Sequence, residues 1–526
     1  MTGGGTGRTL ARAGLVVTAA FLVSRILGGL RLAIITAVFP IGDPSLDSFL
    51  AAFTIPDLIF QLVAAGALSS ALIPIIAGLH AHGEDGRAWR VASTVATLML
   101  TALVVLALIV GIAAPVLVPA LFRGFDAAQA AQTVELTRIM LLSPLLLAVG
   151  ALATSLLNAH DRFGAAALAP IVYNLGIIGG ALFLAPFIGI EGVAVGVVLG
   201  SVAHVAVQLV PLHQIGFRYR PAVDLTDTEA RDALRLMAPR AIGLGASQLT
   251  FLVATALLSS FPSGSITAFR LAFTLFQIPF GVIGVPIGVV VLPSLSRELA
   301  LGAVDRYLSL LVGSMRLIVF VMLPIMVLGI VLRVTVVAVL FRSIDVSGTT
   351  DTAIALGVLL LALPSESLIA LLARAFYADR DTVTPVIAAV LAVAINTTFA
   401  IVTIGTLGLV GVSLGIVLGS LSEMSLLALR LRRRIPGFRP WEIATAAATA
   451  GIAAIAAGSV AFVTLQVMDS ALGGDPSRIG SLVELVVATT LGGLTYLGAS
   501  RFLGSAELPA LLGLLAGAVR RPNGAA

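Results

Sequence analysis

Two arginines flank a glycine pair in the segment S-R-I-L-G-G-L-R, where Arg25 and Arg31 sit inside an apolar run from Leu10 to Pro40. A guanidinium in hydrocarbon costs about 2.5–3.5 kcal/mol on insertion scales unless it is paired or faces water. It also presents a planar fork of donors that fits a carboxylate or a phosphate bidentately. At 1.5 Å per residue of helix, Arg31 lies roughly 13 Å and Arg25 roughly 22 Å from the end of the run at Pro40, too deep for easy snorkelling. These positions predict a water-filled cavity. The next apolar run begins with Asp47, carries Asp57 roughly 16 Å from the same loop, and continues to Gln61. Matched depth on consecutive helices predicts an Arg31–Asp57 ion pair, each charge offsetting the insertion cost of the other. Gly28 and Gly29 permit a bend or a close helix contact.

Further along, Arg270 lies on an apolar run, and His204, Glu366 and Glu423 are the remaining deep ionisable residues. For these last three, an inter-helix hydrogen bond and a role in proton or ion coupling are both open readings. Asn174, Asn396 and the prolines Pro56, Pro170, Pro279 and Pro385 read as packing and kink elements. Other chemistries are excluded. There is no cysteine, hence no disulfide and no thiolate metal site. The five histidines are scattered, none in an H-x-x-x-H pair, so no metal site is expected. With no lysine, a phosphate loop ending in G-K-[ST] cannot exist, and the work must come from an ion gradient or the membrane potential. No cofactor is expected.

The composition supplies the elements that carry these residues. Of 526 residues, 59% are hydrophobic and 11% charged, and the mean hydropathy is +1.11, values that exclude water as the main solvent. All 31 basic residues are arginine, which reads as a compositional bias of the genome. The pI of about 10.3 reports membrane topology rather than a nucleic-acid partner. Apolar windows of spanning length occur near 10–40, 46–79, 88–121, 132–159, 164–187, 190–213, 230–260, 265–299, 306–331, 351–378, 382–404, 408–431, 442–468 and 480–503. The first is too long for a signal-peptide core and reads as a retained span. Alternate gaps carry arginines: Arg87 and Arg90, Arg162, Arg218 and Arg220, Arg297, Arg380, and the run from Arg430 to Arg439. The other gaps carry few, so the positive-inside rule puts both termini in the cytoplasm. Trp89 and Trp441 fall at cytoplasmic helix starts, as interfacial anchors do.

The chain is internally duplicated. G-I-E-G-V-A-V-G-V-V-L-G-S from Gly189 to Ser201 matches G-L-V-G-V-S-L-G-I-V-L-G-S from Gly408 to Ser420, with all four glycines and the final L-G-S kept. S-F-L-A-A-F-T ending at Thr54 matches A-F-R-L-A-F-T ending at Thr274 in nearly the same register, and His204 and Glu423 fall at equivalent positions. An even number of helices per copy makes the repeats parallel, a transporter signature. The expected fold is therefore an all-α polytopic membrane protein of 14 transmembrane helices. Residues 1–215 and 216–434 form two six-helix parallel repeats, and residues 435–526 hold helices 13 and 14 and a cytoplasmic tail.

Six ordered segments sharpen this: SRILGGLR, LDSFLAAFTIPDL, AAGALSSALIPI, LLNAHDRFGAAALAPIVYN, QIPFGVIGVPIGVVVLPSLSREL and RAFYADRDTVTP. On these, over nearly its whole length, the chain resembles the MurJ (MviN) family of lipid II flippases in the MOP exporter superfamily. The resemblance implies two lobes around a central cavity, with helices 13 and 14 forming a groove for a polyprenyl tail. It further implies the bacterial cytoplasmic (inner) membrane, outward flipping of the lipid-linked peptidoglycan precursor, and cell-wall synthesis proteins as partners. Arg25 and Arg31 match the family's cavity arginines, and Asp47 its outer-end aspartate. This chain departs from the pattern at Leu32, where the family carries an acid. It departs again at Asp57 to Gln61, where the family reads N-L-L-R-R, and at Thr274, where the family carries an arginine one turn beyond Arg270.

The leading expectation is a flippase of a lipid-linked diphosphate glycan, clamped by Arg25, Arg31 and Arg270, with Asp47, Asp57, Gln61 and Thr274 as further lining and His204, Glu366 and Glu423 as coupling candidates. An exporter of another polyprenyl-linked glycan or of small molecules is the alternative within the fold. A transport-dead scaffold is another, because cationic positions are missing. An enzyme using polyprenyl phosphate, suggested by Asp43 and Asp47, lacks a soluble domain to hold its chemistry, so no enzymatic activity is expected.

Overall fold

The computed structural model describes residues 23–63, 67–341, 346–379, 381–472 and 478–520, and among them there is no strand. Arg380 and the part of the first apolar run before residue 23 lie outside the described residues. The helices are α1 (residues 23–38), α2 (Pro44–Val63), α3 (Ala67–Ala81), α4 (Asp85–Leu121), α5 (Ala127–Met140), α6 (Leu142–Ala159), α7 (Phe163–Gly179), α8 (Ala185–Ile188), α9 (Ile190–Gln214) and α10 (Thr228–Leu258). They continue with α11 (Ser265–Pro279), α12 (Val285–Ala300), α13 (Val304–Leu340), α14 (Val346–Leu360), α15 (Leu363–Ala378), α16 (Val383–Arg434), α17 (Pro440–Leu472), α18 (Arg478–Phe502) and α19 (Glu507–Arg520). Single π turns, Gly180–Leu184 and Phe280–Gly284, join α7 to α8 and α11 to α12.

In each of the expected windows the described residues are largely helical. Among the described residues 10 helices are long and apolar enough to cross a membrane, and the pair α14 and α15, bent by 44°, makes up to 11. α1 is described only from residue 23, and residues 64–66, between α2 and α3, lie outside the described residues. α16 covers two windows, broken at Gly408, where φ is 51° and ψ is −129°.

Gly408 explains the duplicated segment. Its counterpart Gly189 has φ 67° and ψ −149°, so the first glycine of each copy turns the chain through a region that side chains avoid. The three following glycines bring helices together. A Cβ on Gly196 would lie 2.8 Å from Gly180 Cα, one on Gly200 2.5 Å from the Tyr173 carbonyl oxygen, and in the second copy one on Gly419 2.9 Å from the Ala392 carbonyl oxygen. The final serine bonds across helices in both copies, Ser201 to Ser143 at 2.8 Å and Ser420 to Ser365 at 2.9 Å. Small residues and hydroxyls do this work in membranes because lipid tails remove the hydrophobic drive between helices.

The chain folds as two compact units divided between Thr267 and Ala268. In the first, α9 packs along α7 and α6, α2 packs on α5, and α10 packs on α2 and α3. That last packing carries the unit past residue 215, where the sequence repeat ends. Its core gathers Leu68, Leu72, Ile76, Val95, Leu103 and Leu156, all fully buried. In the second unit, α17 packs on α13 and α18, and α15 on α12 and α16. Phe320, Ala453, Ala457 and Tyr496 form one of its cores. Val105, Leu108, Ile112 and Val116 of α4 are exposed, the arrangement expected of a helix face that meets lipid. Outside the spans, Asp227 caps α10 and accepts from Arg87 Nε at 2.8 Å, and the arginine holds its carboxyl below the ordinary range.

Candidate functional site

α1 carries both first-half arginines. Arg25 is exposed and Arg31 half-buried. Arg31 makes no ion pair or hydrogen bond among the described residues, so the expected Arg31–Asp57 pair is not formed. Asp57 instead accepts from Gln248 Nε2 at 2.9 Å. The depth argument held only for height along the helices. Rotation about the α2 axis points Asp57 toward α10, which packs on α2.

Tyr173 of α7 fills the gap left by that pair. It lies within electrostatic reach of both Arg31 and Asp57. Phe53, Asp57, Phe60, Ser143 and Tyr173 border a cavity of about 20 Å³, room for roughly one water. Gln61 follows Asp57 on α2 and is half-buried. The first unit thus holds, among the described residues, a guanidinium without an ion pair that lies within electrostatic reach of a phenol.

Asp47 is placed differently from a ligand contact. It is 3% exposed, and its carboxylate accepts from Gly264 N at 2.7 Å, Thr267 N at 3.0 Å and Thr267 Oγ1 at 2.6 Å. It caps the start of α11, satisfying donors that a helix start leaves open. Thr267 is the position that the duplication aligns with Asp47 itself.

Arg270 and Thr274 sit on α11, and Thr274 Oγ1 donates to the Arg270 carbonyl oxygen at 2.8 Å, a bond within its own helix. Glu366 on α15 and Glu423 on α16 belong to the second unit, and their carboxyl groups lie within electrostatic reach of each other. His204, the repeat counterpart of Glu423, lies on α9 of the first unit with Nδ1 buried and without a hydrogen-bond partner among the described residues. Its ring packs against Gly150, where a Cβ would come within 2.7 Å. In the first unit Arg31 and Asp57 lie within electrostatic reach of Tyr173, and in the second Glu366 and Glu423 lie within reach of each other.

Sequence reasoning missed Tyr173, Gln248 and Thr267. Gln248 carried a signal, being a polar residue in the otherwise apolar run that ends α10. Tyr173 carried none, because a tyrosine on an apolar helix is ordinary and only α7 packing places its hydroxyl.

A family model described as lipid II flippase MurJ matches residues 42–473. The chain belongs to the MurJ family. A probable lipid II flippase MurJ of Rhizobium tropici is 30% identical over 449 residues, covering 83% of each chain. The lipid II flippase MurJ of Burkholderia cenocepacia is 29% identical over 436 residues, covering 81% of this chain and 84% of its own. A solved lipid II flippase MurJ in an inward closed conformation superposes with a TM-score of 0.76 at 21% identity, over 93% of this chain and 98% of that one. An inward-facing multidrug transporter of the MATE family, also in the MOP superfamily, gives a TM-score of 0.66 at 18% identity, over 80% and 98%. Both structural likenesses concern the fold. Family membership makes this MurJ-family chain a multi-pass membrane transporter with a lipid-linked substrate, and it favours none of the alternative functions weighed above.

Proposed function

We propose that this chain moves lipid II from the inner to the outer leaflet by alternating access, with Arg25 and Arg31 binding its diphosphate. The observation that carries the reading is Arg31, a half-buried guanidinium on a membrane helix with no ion pair among the described residues. A charge left unpaired at that depth is costly unless a ligand or water meets it. Tyr173 and Asp57 beside it suit the sugar hydroxyls and amides of such a substrate. Arg270 is a further proposed substrate contact, and Glu366 with Glu423 forms the candidate coupling pair. The protein acts as a carrier without chemical conversion, and enzymes that polymerise the exported glycan are its expected partners.

The test is growth. Expression of this chain should restore growth and outward lipid II transport to bacteria depleted of their own lipid II flippase, whereas cells that insert the protein normally and still lyse would refute the reading.

The same proposal places both termini in the cytoplasm, supported by the arginine-rich alternate loops. Because the chain has no cysteine, single replacements report sidedness cleanly. Ser45→Cys and Ser263→Cys should react with an impermeant thiol reagent added to intact cells, and Leu225→Cys and Ala300→Cys should react only after lysis. The reverse pattern would invert the topology.

A further inference from the structure

Three helix ends of the first unit converge on a set of side chains that the transport reading does not use. α3 ends at Ala81 and α4 begins at Asp85. Between them Gly83 takes φ 76°, and its N–H bonds the His80 carbonyl oxygen at 3.0 Å while Glu84 N bonds that of Leu79 at 2.9 Å. This tight turn sets His80 beside Asp85, with Nδ1 to Oδ1 at 2.6 Å. From a distant part of the chain, α6 ends with His160 as its cap, and the rings of His80 and His160 lie 4.5 Å apart between centroids. One ligand atom from each of His80, Asp85 and His160 falls within 4.8 Å of the others.

His160 gives an independent sign. Its Nδ1 lies 2.8 Å from the Leu156 carbonyl oxygen. A carbonyl only accepts, so Nδ1 carries the hydrogen and Nε2 keeps a lone pair. That Nε2 is buried and has no hydrogen-bond partner among the described residues, an arrangement that buried polar atoms rarely keep without an ion or water. Trp89 stacks on the ring at 5.3 Å and 16°, fixing its orientation. An imidazole locked by a backbone carbonyl through one nitrogen, with the other nitrogen open, is how metal-ligating histidines are commonly held.

We propose that His80, Asp85 and His160 form a binding site for a divalent transition-metal ion of the zinc type. Two imidazoles and one carboxylate suit Zn²⁺ and disfavour Mg²⁺ and Ca²⁺, which take oxygen ligands. Three protein ligands leave a fourth position for water. His80 and Asp85 have side chains 49% and 51% exposed, so both can turn toward an ion seated at the fixed His160 Nε2. A bound ion would tie the ends of α3 and α6 to the start of α4, bracing the unit that carries Arg31.

The test uses the purified full-length chain with its histidine tag removed, titrated with Zn²⁺ by calorimetry and with Co²⁺ by visible absorption. With no cysteine in the chain, thiolates cannot compete. The expected result is one Zn²⁺ per chain, a tetrahedral Co²⁺ spectrum, and a melting temperature that rises with Zn²⁺. His160→Ala and Asp85→Asn should each weaken binding by about tenfold or more, and His213→Ala should leave it unchanged. Asp85→Asn keeps the proposal testable if His160→Ala fails to fold, since Asp85 is exposed. Absence of saturable binding, or equal affinity in wild type and Asp85→Asn, would mean a surface ion pair only. Neither outcome depends on lipid II transport.

Discussion

Arg31→Ala should yield a chain that inserts and folds normally but no longer rescues cells depleted of their own lipid II flippase. Arg31 makes no hydrogen bond or ion pair among the described residues, so its removal orphans no protein group. Losing the guanidinium also relieves roughly 2.5–3.5 kcal/mol of insertion cost. A defect therefore cannot be assigned to folding, and it reports the missing ligand contact. Two charge-assisted hydrogen bonds at about 1.5–3 kcal/mol each predict a fall in transport of at least about a hundredfold. Arg25→Ala should act in the same direction. Lysine at either position should retain part of the activity, because a diphosphate accepts a point charge while the bidentate fork is lost. The readout is lipid II accessibility at the outer face alongside protein level in the membrane. Full activity in both alanine variants would remove the arginine clamp from the mechanism.

Gly176→Leu should have a large structural effect in the first unit. A Cβ there would lie 2.3 Å from Gly200 Cα and 2.6 Å from Gly200 N. Both obstacles are backbone, so the only relief is separation of α7 from α9. Overpacking of this kind costs about 3 kcal/mol or more, and it would also displace Tyr173, whose carbonyl oxygen lies 2.5 Å from a Cβ built on Gly200. Folded yield after detergent extraction should drop sharply, and transport with it. Gly28→Ala is the contrasting control, since a Cβ there meets nothing within 4 Å and alanine favours the helix by about 1 kcal/mol. Equal yields for the two variants would mean that close packing does not explain the repeated glycines.

The glycine result shows how a sequence pattern acquires its meaning. G-x-x-G-x-x-x-G-x-x-x-G-S recurs because each position answers a local demand: a left-handed turn, two or three close approaches, then a hydroxyl reaching the next helix. Such demands are written at fixed spacing and can be read without coordinates. The same holds for the apolar windows, in each of which the described residues are largely helical. Where a window is kinked, as between α14 and α15, hydropathy sees no boundary.

Sequence by itself determined the membrane class, the helical fold, the duplication and the family, because hydropathy, helical rise and glycine spacing act over short stretches of chain. It also picked out Arg31 and Asp57 as charges at one depth on neighbouring apolar runs. Only the tertiary structure decided their partners. Each residue turns a helix by about 100°, so depth leaves azimuth open, and it is azimuth that gives Asp57 to Gln248 and leaves Arg31 without an ion pair among the described residues. Asp47 likewise finds Thr267, and His160 finds His80 and Asp85, across long separations in sequence. Contacts of that kind depend on how helices pack against one another, and no local spacing records them.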